Sequence, residues 1–457
     1  MMLLMSFLAY LPKIILGFSI THLIWSETKF SYIFLKLFVA APLGVGITTF
    51  LLFFWKLLGL ANTGYIVFEL AIVLVVLMSV ILIRWHTFKK IQFSIPAFTT
   101  WIDKALLAGV FVSILISIVS FFLTMLIHPH GSEDAWSNWN LIARYIHGSQ
   151  DMTNALSYIA SSVFPGYPFM IGLGVANGWI FVDDVTTRVP IAVSALFTYS
   201  IPGILFFTLT EIKGYRFASM ATILVSSAWL AQAGSALYSD IPIASLCLAT
   251  GAFISLHHHL KSPELLTLAG FTAGFAAWTK NDGIPFTFFA TLLAILIALH
   301  EKDKKIFLKF LIGLAFPAVV LGIYKLFLAA PGDIVSTVNS PLTRLLDFSR
   351  FQIVFKHFVV TTSSYGSPPI GYVWVLLAIA LAFGVNFRSK GTQYLAFLLF
   401  FQYSAYFLVY MITPLDLQWH LNTSMGRVLT HLMPLLTLFV FLSLRSLPPL
   451  DRESEGT

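Results

Sequence analysis

Charged side chains are scarce in this chain of 457 residues, of which 10% are charged and 58% are hydrophobic. So few charges cannot cover the surface of a water-soluble domain, which excludes that class of protein. Apolar segments of about 20 residues, long enough to span roughly 30 Å of hydrocarbon, recur along the whole chain. A transmembrane β-barrel would show short segments of alternating polarity instead. The sequence therefore predicts an all-α polytopic membrane protein.

Cysteine and the short motifs of cofactor sites are also nearly absent. The single cysteine, Cys247, excludes an internal disulfide and a cysteine-based metal site. The histidine run 257–259 has no partners at the spacing of metal ligands, so no metal site is predicted there. The sequence has neither a Gly-rich nucleotide fingerprint nor a soluble basic patch, which excludes a nucleotide-binding domain and a nucleic-acid partner.

The apolar segments predict roughly thirteen membrane spans. They fall at about 4–25, 32–56, 64–83, 105–127, 189–210, 217–238, 241–258, 264–279, 284–300, 306–328, 371–387, 394–413 and 428–445. The first segment lacks a basic n-region and a small-residue cleavage site, so we expect a retained helix rather than a signal peptide. If the apolar stretch 166–182 were also a span, the basic loops after it would fall on the outer side of the membrane. We therefore predict that it is a helix that lies at the outer interface.

Short basic loops set the predicted orientation of the chain. The net charge is +7, and loops such as 84–90, 211–216 and 301–305 fall on one side if the spans alternate. By the positive-inside rule that side is the cytoplasm. The predicted spans and loops divide the chain into three regions: N-terminal helices with a basic cytoplasmic loop, a core, and C-terminal helices. Their ranges are 1–100, 101–305 with a first outer loop at 128–187, and 306–457 with outer loops at 331–370 and 414–427.

Three ionisable residues fall within the first predicted spans. Lys13 and Lys36 lie inside them, and Glu69 lies near the outer end of the third. Ionisable groups inside a membrane are functional candidates by default. Pairing with one another, or snorkelling of the lysines to the interface, explains them without a function, and this is our prediction.

The outer loops collect acids and bases that are up to 300 residues apart in the sequence. A carboxylate there can take a proton from an attacking hydroxyl group. Cations can hold a phosphate leaving group and stabilise its developing charge. The candidates are Glu133, Asp134, Asp240, Lys280, Asp282, Asp416, His420 and Arg427.

The order of these loops is similar to that of a known superfamily. The first outer loop has an acid followed by an aromatic helix, "EDAWSNWNLIARY", and then a proline motif, "FPGYP" at 164–168. "DDVTTRVPIAVSAL", "YSDIPIA" and "GFAAWTKNDGIPF" follow at 183–196, 238–244 and 274–286. Over about 105–300 the chain resembles the GT-C integral membrane glycosyltransferases, in the protein O-mannosyltransferase-like branch that includes the bacterial aminoarabinose transferases.

The resemblance implies a reaction and roles for several residues. Such enzymes move a sugar, usually with inversion, from a polyprenyl-phosphate donor to an acceptor across the membrane. Asp134 matches the catalytic base, and Asp240 matches an acid that supports the site. Lys280 matches a lysine close to the donor phosphate. Tyr167 and Pro168 match the segment that shapes the acceptor side.

Several assignments stay open at this point. Glu133 is a rival of Asp134 for the base, although Asp134 directly precedes the aromatic helix as the family acid does. The family often has basic residues where this chain has Ser137 and Phe164, so other cations must help to bind phosphate. The candidates are Arg144, Arg188 and Arg427 beside Lys280. Candidates for contact with the acceptor or a sugar are Trp136, Trp139, Tyr167 and His420.

No cofactor is required by this reading, although Glu133, Asp134 and Asp240 could share a divalent metal through oxygen ligands. The expected partners are the lipid-linked donor, a glycan, lipid or protein acceptor, and membrane lipids. The expected location is a bacterial inner or plasma membrane, with the site facing outward. Two alternatives are a transporter or flippase of lipid-linked sugars, whose internal repeats we do not find, and a polysaccharide polymerase or ligase.

Overall fold

The architecture is helical throughout the part of the chain that the structure describes. The computed structural model describes residues 1–88, 100–160, 166–330, 341–366 and 370–445. Within these ranges the regular elements are helices, apart from isolated bridge residues such as the pair Val385 and Leu444. Nine of the described helices are long and apolar enough to cross a membrane, or eleven if each of two bent pairs is one span. The predicted polytopic helical class is confirmed at this level.

The first five helices form the N-terminal region and the start of the core. They are α1 Met2–Leu8, α2 Leu11–Ile24, α3 Phe30–Leu57, α4 Asn62–Phe88 and α5 Trp101–Ile127. Helices α2 and α3 approach closely because glycines face each other. A Cβ atom on Gly17 would lie 2.0 Å from the carbonyl oxygen of Ala40, and one on Gly44 would lie 1.8 Å from that of Lys13. Small residues of this kind allow close helix packing in membranes.

The long segment after α5 folds into short helices that lead to the candidate site. A π-helical turn, Ala135–Trp139, is followed by α6 Asn140–Gly148, α7 Met152–Ile159 and α8 Met170–Val182. Helix α8 corresponds to the stretch predicted to lie at the interface. It contacts α3, α6 and α9, and nearly all of its side chains are buried. Phe164 and Pro165 of the proline motif lie outside the described residues.

Seven further helices build the core around α12. They are α9 Arg188–Lys213, α10 Tyr215–Val225, α11 Ala228–Ser235, α12 Asp240–Leu260, α13 Glu264–Thr279, α14 Gly283–Glu301 and α15 Lys304–Ile323, which continues into a π-helical turn at Tyr324–Leu328. Nearly all residues of helix α12 are buried, so this helix forms the centre of the bundle. Helices α10 and α11 are bent by 53° where the sequence predicted one straight span.

The C-terminal region adds six helices. They are α16 Pro341–Leu345, α17 Phe348–Ser364, α18 Tyr372–Phe383, α19 Lys390–Ile412, α20 Leu417–Thr430 and α21 Met433–Ser443. Helix α17 runs antiparallel to α19, because Arg350 donates to the carbonyl groups of Tyr410 and Thr413 whereas Thr362 bonds the hydroxyl of Tyr403. Much of the predicted outer loop 331–370 is therefore helical, while 331–340 and 367–369 lie outside the described residues.

Candidate active site

Asp134 stands at the edge of a group of charged side chains. It directly precedes the π-helical turn, a form of helix that often marks functional sites. The backbone before it is fixed by a hydrogen bond of 3.1 Å from the Ser132 amide to the carbonyl of Ala236. Its Oδ2 atom accepts a hydrogen bond of 2.6 Å from Nη1 of Arg427, and its side chain is 22% exposed to solvent. Asp134 is therefore both anchored and accessible.

Asp240, the first residue of α12, is the centre of the group. Its Oδ1 atom accepts from Nζ of Lys280 at 3.1 Å and pairs with Nε2 of His431 at 2.9 Å. Its Oδ2 atom accepts from Nε of Arg427 at 2.9 Å. The Asp240 side chain is only 6% exposed. Both oxygen atoms are thus committed to protein partners, which suits a residue that holds cations in position.

Lys280 and Asp282 lie in the turn between α13 and α14. The Lys280 ammonium is 3.0 Å from Oδ2 of Asp282, in addition to its bond with Asp240. Burial lowers the pKa of Lys280, but the two carboxylates outweigh it and hold that pKa above its usual value. Burial likewise raises the pKa of Asp282, but Lys280 outweighs it and holds this pKa below the usual range. Both groups therefore stay charged at neutral pH.

Arg427 of α20 joins the two carboxylates of Asp134 and Asp240. Its guanidinium also lies 4.2 Å from the centre of the Tyr238 ring, in cation–π contact. One helical turn further on, His431 is fully buried between Asp240 and the hydroxyl of Tyr406, which is 2.8 Å from Nδ1. Sequence reasoning missed His431, although its spacing of four from Arg427 is the signal of one helix face.

These side chains form what we call the polar cluster: Asp134, Asp240, Lys280, Asp282, Arg427 and His431. They come from four segments that lie far apart in the sequence. Five of the residues predicted for the outer-loop site meet here: Asp134, Asp240, Lys280, Asp282 and Arg427. The structure thus brings the predicted residues together, and their roles in catalysis stay a prediction.

Aromatic residues predicted for the acceptor side lie beside the cluster. The rings of Trp139 and Tyr167 stack with centres 5.9 Å apart, and the carbonyl of Tyr167 accepts from the hydroxyl of Tyr324 at 2.8 Å. Burial is the main cause that raises the pKa of Tyr167 to about 12. Trp136, in contrast, is 56% exposed, and no ring contact is found for it among the described residues. Trp139 therefore shapes the wall of the site, whereas Trp136 presents an open ring.

His420 lies about two turns before Arg427 on α20, and its contacts go to the end of α19. Its Nδ1 atom is 3.0 Å from the Thr413 hydroxyl, and its ring centre is 4.8 Å from that of Tyr410. These contacts fix His420 at the C-terminal end of α19, and its hydrogen bond to Thr413 goes to no member of the polar cluster.

Three predicted residues do not join the cluster. Glu133, Arg144 and Arg188 are exposed, and within the described residues none of them makes an ion pair. The Glu133 carbonyl accepts a hydrogen bond from Ser137, whereas its carboxylate has no hydrogen-bond partner among the described residues. The geometry therefore distinguishes Asp134 from its rival.

The positions of these side chains also bear on the metal ion that Glu133, Asp134 and Asp240 could share. Among the described residues no group of three or more His, Cys, Asp or Glu side chains is placed to hold one. Between Asp134 and Asp240 stands the guanidinium of Arg427, bonded to both. The cation that bridges these two carboxylates is thus a side chain.

Comparison of this chain with protein-family models, with curated proteins and with solved structures found no match. These comparisons therefore assign the chain to no family. Fold and site define a helical, membrane-type protein with a charged cluster built from distant segments. A more particular function has to come from the chemistry of that cluster and from the ordered sequence motifs.

Proposed function

We propose that this protein is an inverting glycosyltransferase of the GT-C type. It would move a sugar from a polyprenyl-phosphate-linked donor to a hydroxyl group of a cell-envelope glycan, lipid or protein. The observation that carries the proposal is the position of Asp134. It is a carboxylate with an exposed edge, and it is bonded through Arg427 to a buried cluster at one end of an apolar bundle.

The proposed step uses Asp134 as the general base. Its carboxylate takes the proton of the acceptor hydroxyl while that oxygen attacks the anomeric carbon of the sugar. The bond from that carbon to the phosphate oxygen breaks, and the polyprenyl phosphate leaves with the electron pair. Attack opposite to the leaving group inverts the anomeric centre. Positioned proton transfer of this kind typically contributes about 10² to 10⁴ in rate.

Asp240 supports the step without touching the substrate. Its two oxygen atoms hold Arg427 and Lys280, which in turn hold Asp134 and Asp282. A site whose members are locked by hydrogen bonds needs little reorganisation during the reaction, and this is a large source of catalytic power.

The remaining parts of the proposal concern the membrane. The fold would be of the GT-C kind with about thirteen spans, and α8 would lie beside the outer interface. The basic loops would face the cytoplasm and the polar cluster would face outward, in a bacterial inner or plasma membrane. Nucleotide sugars are not normally supplied on that side, which favours a lipid-linked donor whose tail can lie among apolar helices.

The test offers matched donors with the same sugar to the purified protein in nanodiscs. Transfer is expected from the polyprenyl-phosphate form and not from the nucleotide form. Robust transfer from the nucleotide form would refute the proposed donor. EDTA should leave most of the activity, and its loss would instead assign a metal to the acids.

The rival function is a carrier that flips a lipid-linked sugar. Cells that carry Asp134→Asn should lose the glycan product and still show lipid-linked sugar on the outer leaflet. Loss of the outer-leaflet lipid-linked sugar itself would favour the carrier.

A further inference from the structure

The polar cluster has little positive charge to offer an anion. Arg427 and Lys280 bring two permanent positive charges, and Asp134, Asp240 and Asp282 bring three negative ones. His431 adds a third positive charge only when it is protonated. The cluster is at most neutral, so a phosphate group needs a cation from elsewhere.

Lys325 is a cation of this kind. It lies in the π-helical turn after α15, where it is partly buried. Its Nζ atom donates to the Gly166 carbonyl at 2.5 Å and to Oδ1 of Asn281 at 2.6 Å. Both acceptors are neutral, and among the described residues Lys325 has no carboxylate partner. Within the described part of the chain no carboxylate therefore balances its charge.

The two acceptors place this charge at the candidate site. Asn281 lies between Lys280 and Asp282 of the polar cluster, and Gly166 directly precedes Tyr167. The neighbouring Tyr324 hydroxyl bonds the carbonyl of Tyr167, so the π-helical turn contacts this segment twice. An ammonium group has three N–H donors, and these contacts use two of them.

Four other cations of the predicted outer side either bond backbone carbonyl groups or face solvent. Arg350 and Arg344 donate to the carbonyls of Tyr410, Ile412 and Thr413 at the end of α19. The C-terminal end of a helix carries partial negative charge, which such arginines offset. Arg144 and Arg188 are exposed to solvent.

We propose that Lys325 binds the phosphate group of the polyprenyl-phosphate donor, an assignment that rests on the proposed function. Lys280 and Arg427 then act chiefly as positioning residues, which hold the carboxylates of the cluster. Lys325 supplies the positive charge that the leaving phosphate needs, from the turn that also fixes the acceptor-side segment. The donor phosphate would then lie next to the ammonium group of Lys325, near Asn281 and beside the polar cluster.

The test compares two lipids with the same tail, polyprenyl phosphate and uncharged polyprenol. Their dissociation constants are measured for the full-length protein in nanodiscs, and the ratio isolates the contribution of the phosphate. The wild type should prefer the phosphate. Lys325→Met should reduce that preference about 10-fold to 100-fold, because a hydrogen bond to a charged group is lost. Lys325→Gln, which keeps a donor but no charge, should also reduce it.

The control is Lys309→Met on the same helix, α15. Lys309 is 40% exposed and 3.9 Å from Glu264, and its removal should leave the ratio unchanged. A structural role alone would make Lys325→Met and Lys325→Gln weaken both lipids equally; an unchanged ratio would therefore overturn the assignment. A wild type without preference for phosphate would refute the proposed donor itself, and the assignment with it.

Discussion

Among the charged side chains buried within the described helices, two groups differ in their access to solvent. Lys13 and Glu69 form an ion pair of 2.9 Å in which both side chains are fully buried, and Asn177 donates to Glu69 at 2.7 Å. In the polar cluster, Asp134 and Arg427 keep 22% and 27% of their exposure. The first group is sealed by α2, α4 and α8, whereas the second has an open edge.

The difference separates a structural role from a functional one. Both groups would count as functional candidates because ionisable residues are rare in membrane helices. The sealed pair has one charge of each sign and no route to a substrate, so it serves to hold helices together. The polar cluster keeps a carboxylate at its surface, which a reacting group can meet. Accessibility, more than burial of charge itself, is what marks the site.

The largest combined effect is expected from Asp240→Asn. This change leaves Lys280, Arg427 and His431 without their shared partner, and the loss of one partner from a buried ion pair costs about 3–5 kcal/mol. The free energy of unfolding and the transfer activity should both fall. Denaturant titration and the transfer assay measure them, and full stability of the variant would contradict the central role of Asp240.

The next effect concerns the sealed pair. Lys13→Met should lower the free energy of unfolding by about 3 kcal/mol, because it removes one partner of a single buried ion pair. The double variant Lys13→Met/Glu69→Gln should recover much of this loss. Activity per folded molecule should match the wild type in the double variant; a specific loss of turnover would show that this pair has a functional role.

A smaller effect is expected from the Lys280–Asp282 contact as the pH changes. The pKa of Asp282 is held below its usual value, so its stabilisation is complete above that value, near pH 4, and is lost as the pH falls through the folded pKa. The pKa of Lys280 is raised, so its stabilisation is complete below its usual pKa of about 10.4 and is lost above it.

The measurement compares unfolding temperatures of the wild type and Asp282→Asn between about pH 6 and pH 3. The wild type should be the more stable protein at pH 6, and the gap should narrow on acidification. A gap that widens would mean that the sign of this contribution is wrong.

The least disruptive test uses single cysteines and an impermeant thiol reagent. Asp184 and Lys304 are exposed and lie on opposite predicted sides, while Cys247 is buried and gives little background. Asp184→Cys should be labelled from outside and Lys304→Cys should not. Asp240 is unsuitable as a reporter because it is buried. Labelling of Lys304→Cys from outside would reverse the proposed orientation and place the polar cluster in the cytoplasm.

The sequence predicted Asp134, Asp240, Lys280, Asp282 and Arg427 because each lies at or near a loop on one side of the alternating spans. It did not predict His431 or Lys325, because both fall inside apolar segments, where a polar residue shows no partner. The pairing of Lys13 with Glu69 agrees with the prediction of pairing or snorkelling. Which partner each residue would find depends on how α2 and α4 pack, and a single sequence does not contain that information.

Some helices, like some of the site residues, could be predicted from the sequence and others could not. Long apolar runs predicted spans such as α5 and α9, since hydropathy alone determines them. The bend between α10 and α11 escaped prediction because both halves are apolar. Helix α17 was predicted as part of a loop, since polar residues interrupt its apolar face. That face carries exposed Phe348, Phe351 and Phe355, spaced along one side of the helix.

The most direct test of the account is the transfer rate of Asp134→Asn, with Glu133→Gln as the matched control on the adjacent residue. Both variants should fold like the wild type, as judged by their unfolding temperatures. The account predicts that Asp134→Asn loses about 10² to 10⁴ in rate with the polyprenyl-phosphate donor, because the base is gone, and that Glu133→Gln stays near normal. Near-normal transfer by Asp134→Asn, with Glu133→Gln inactive, would contradict it.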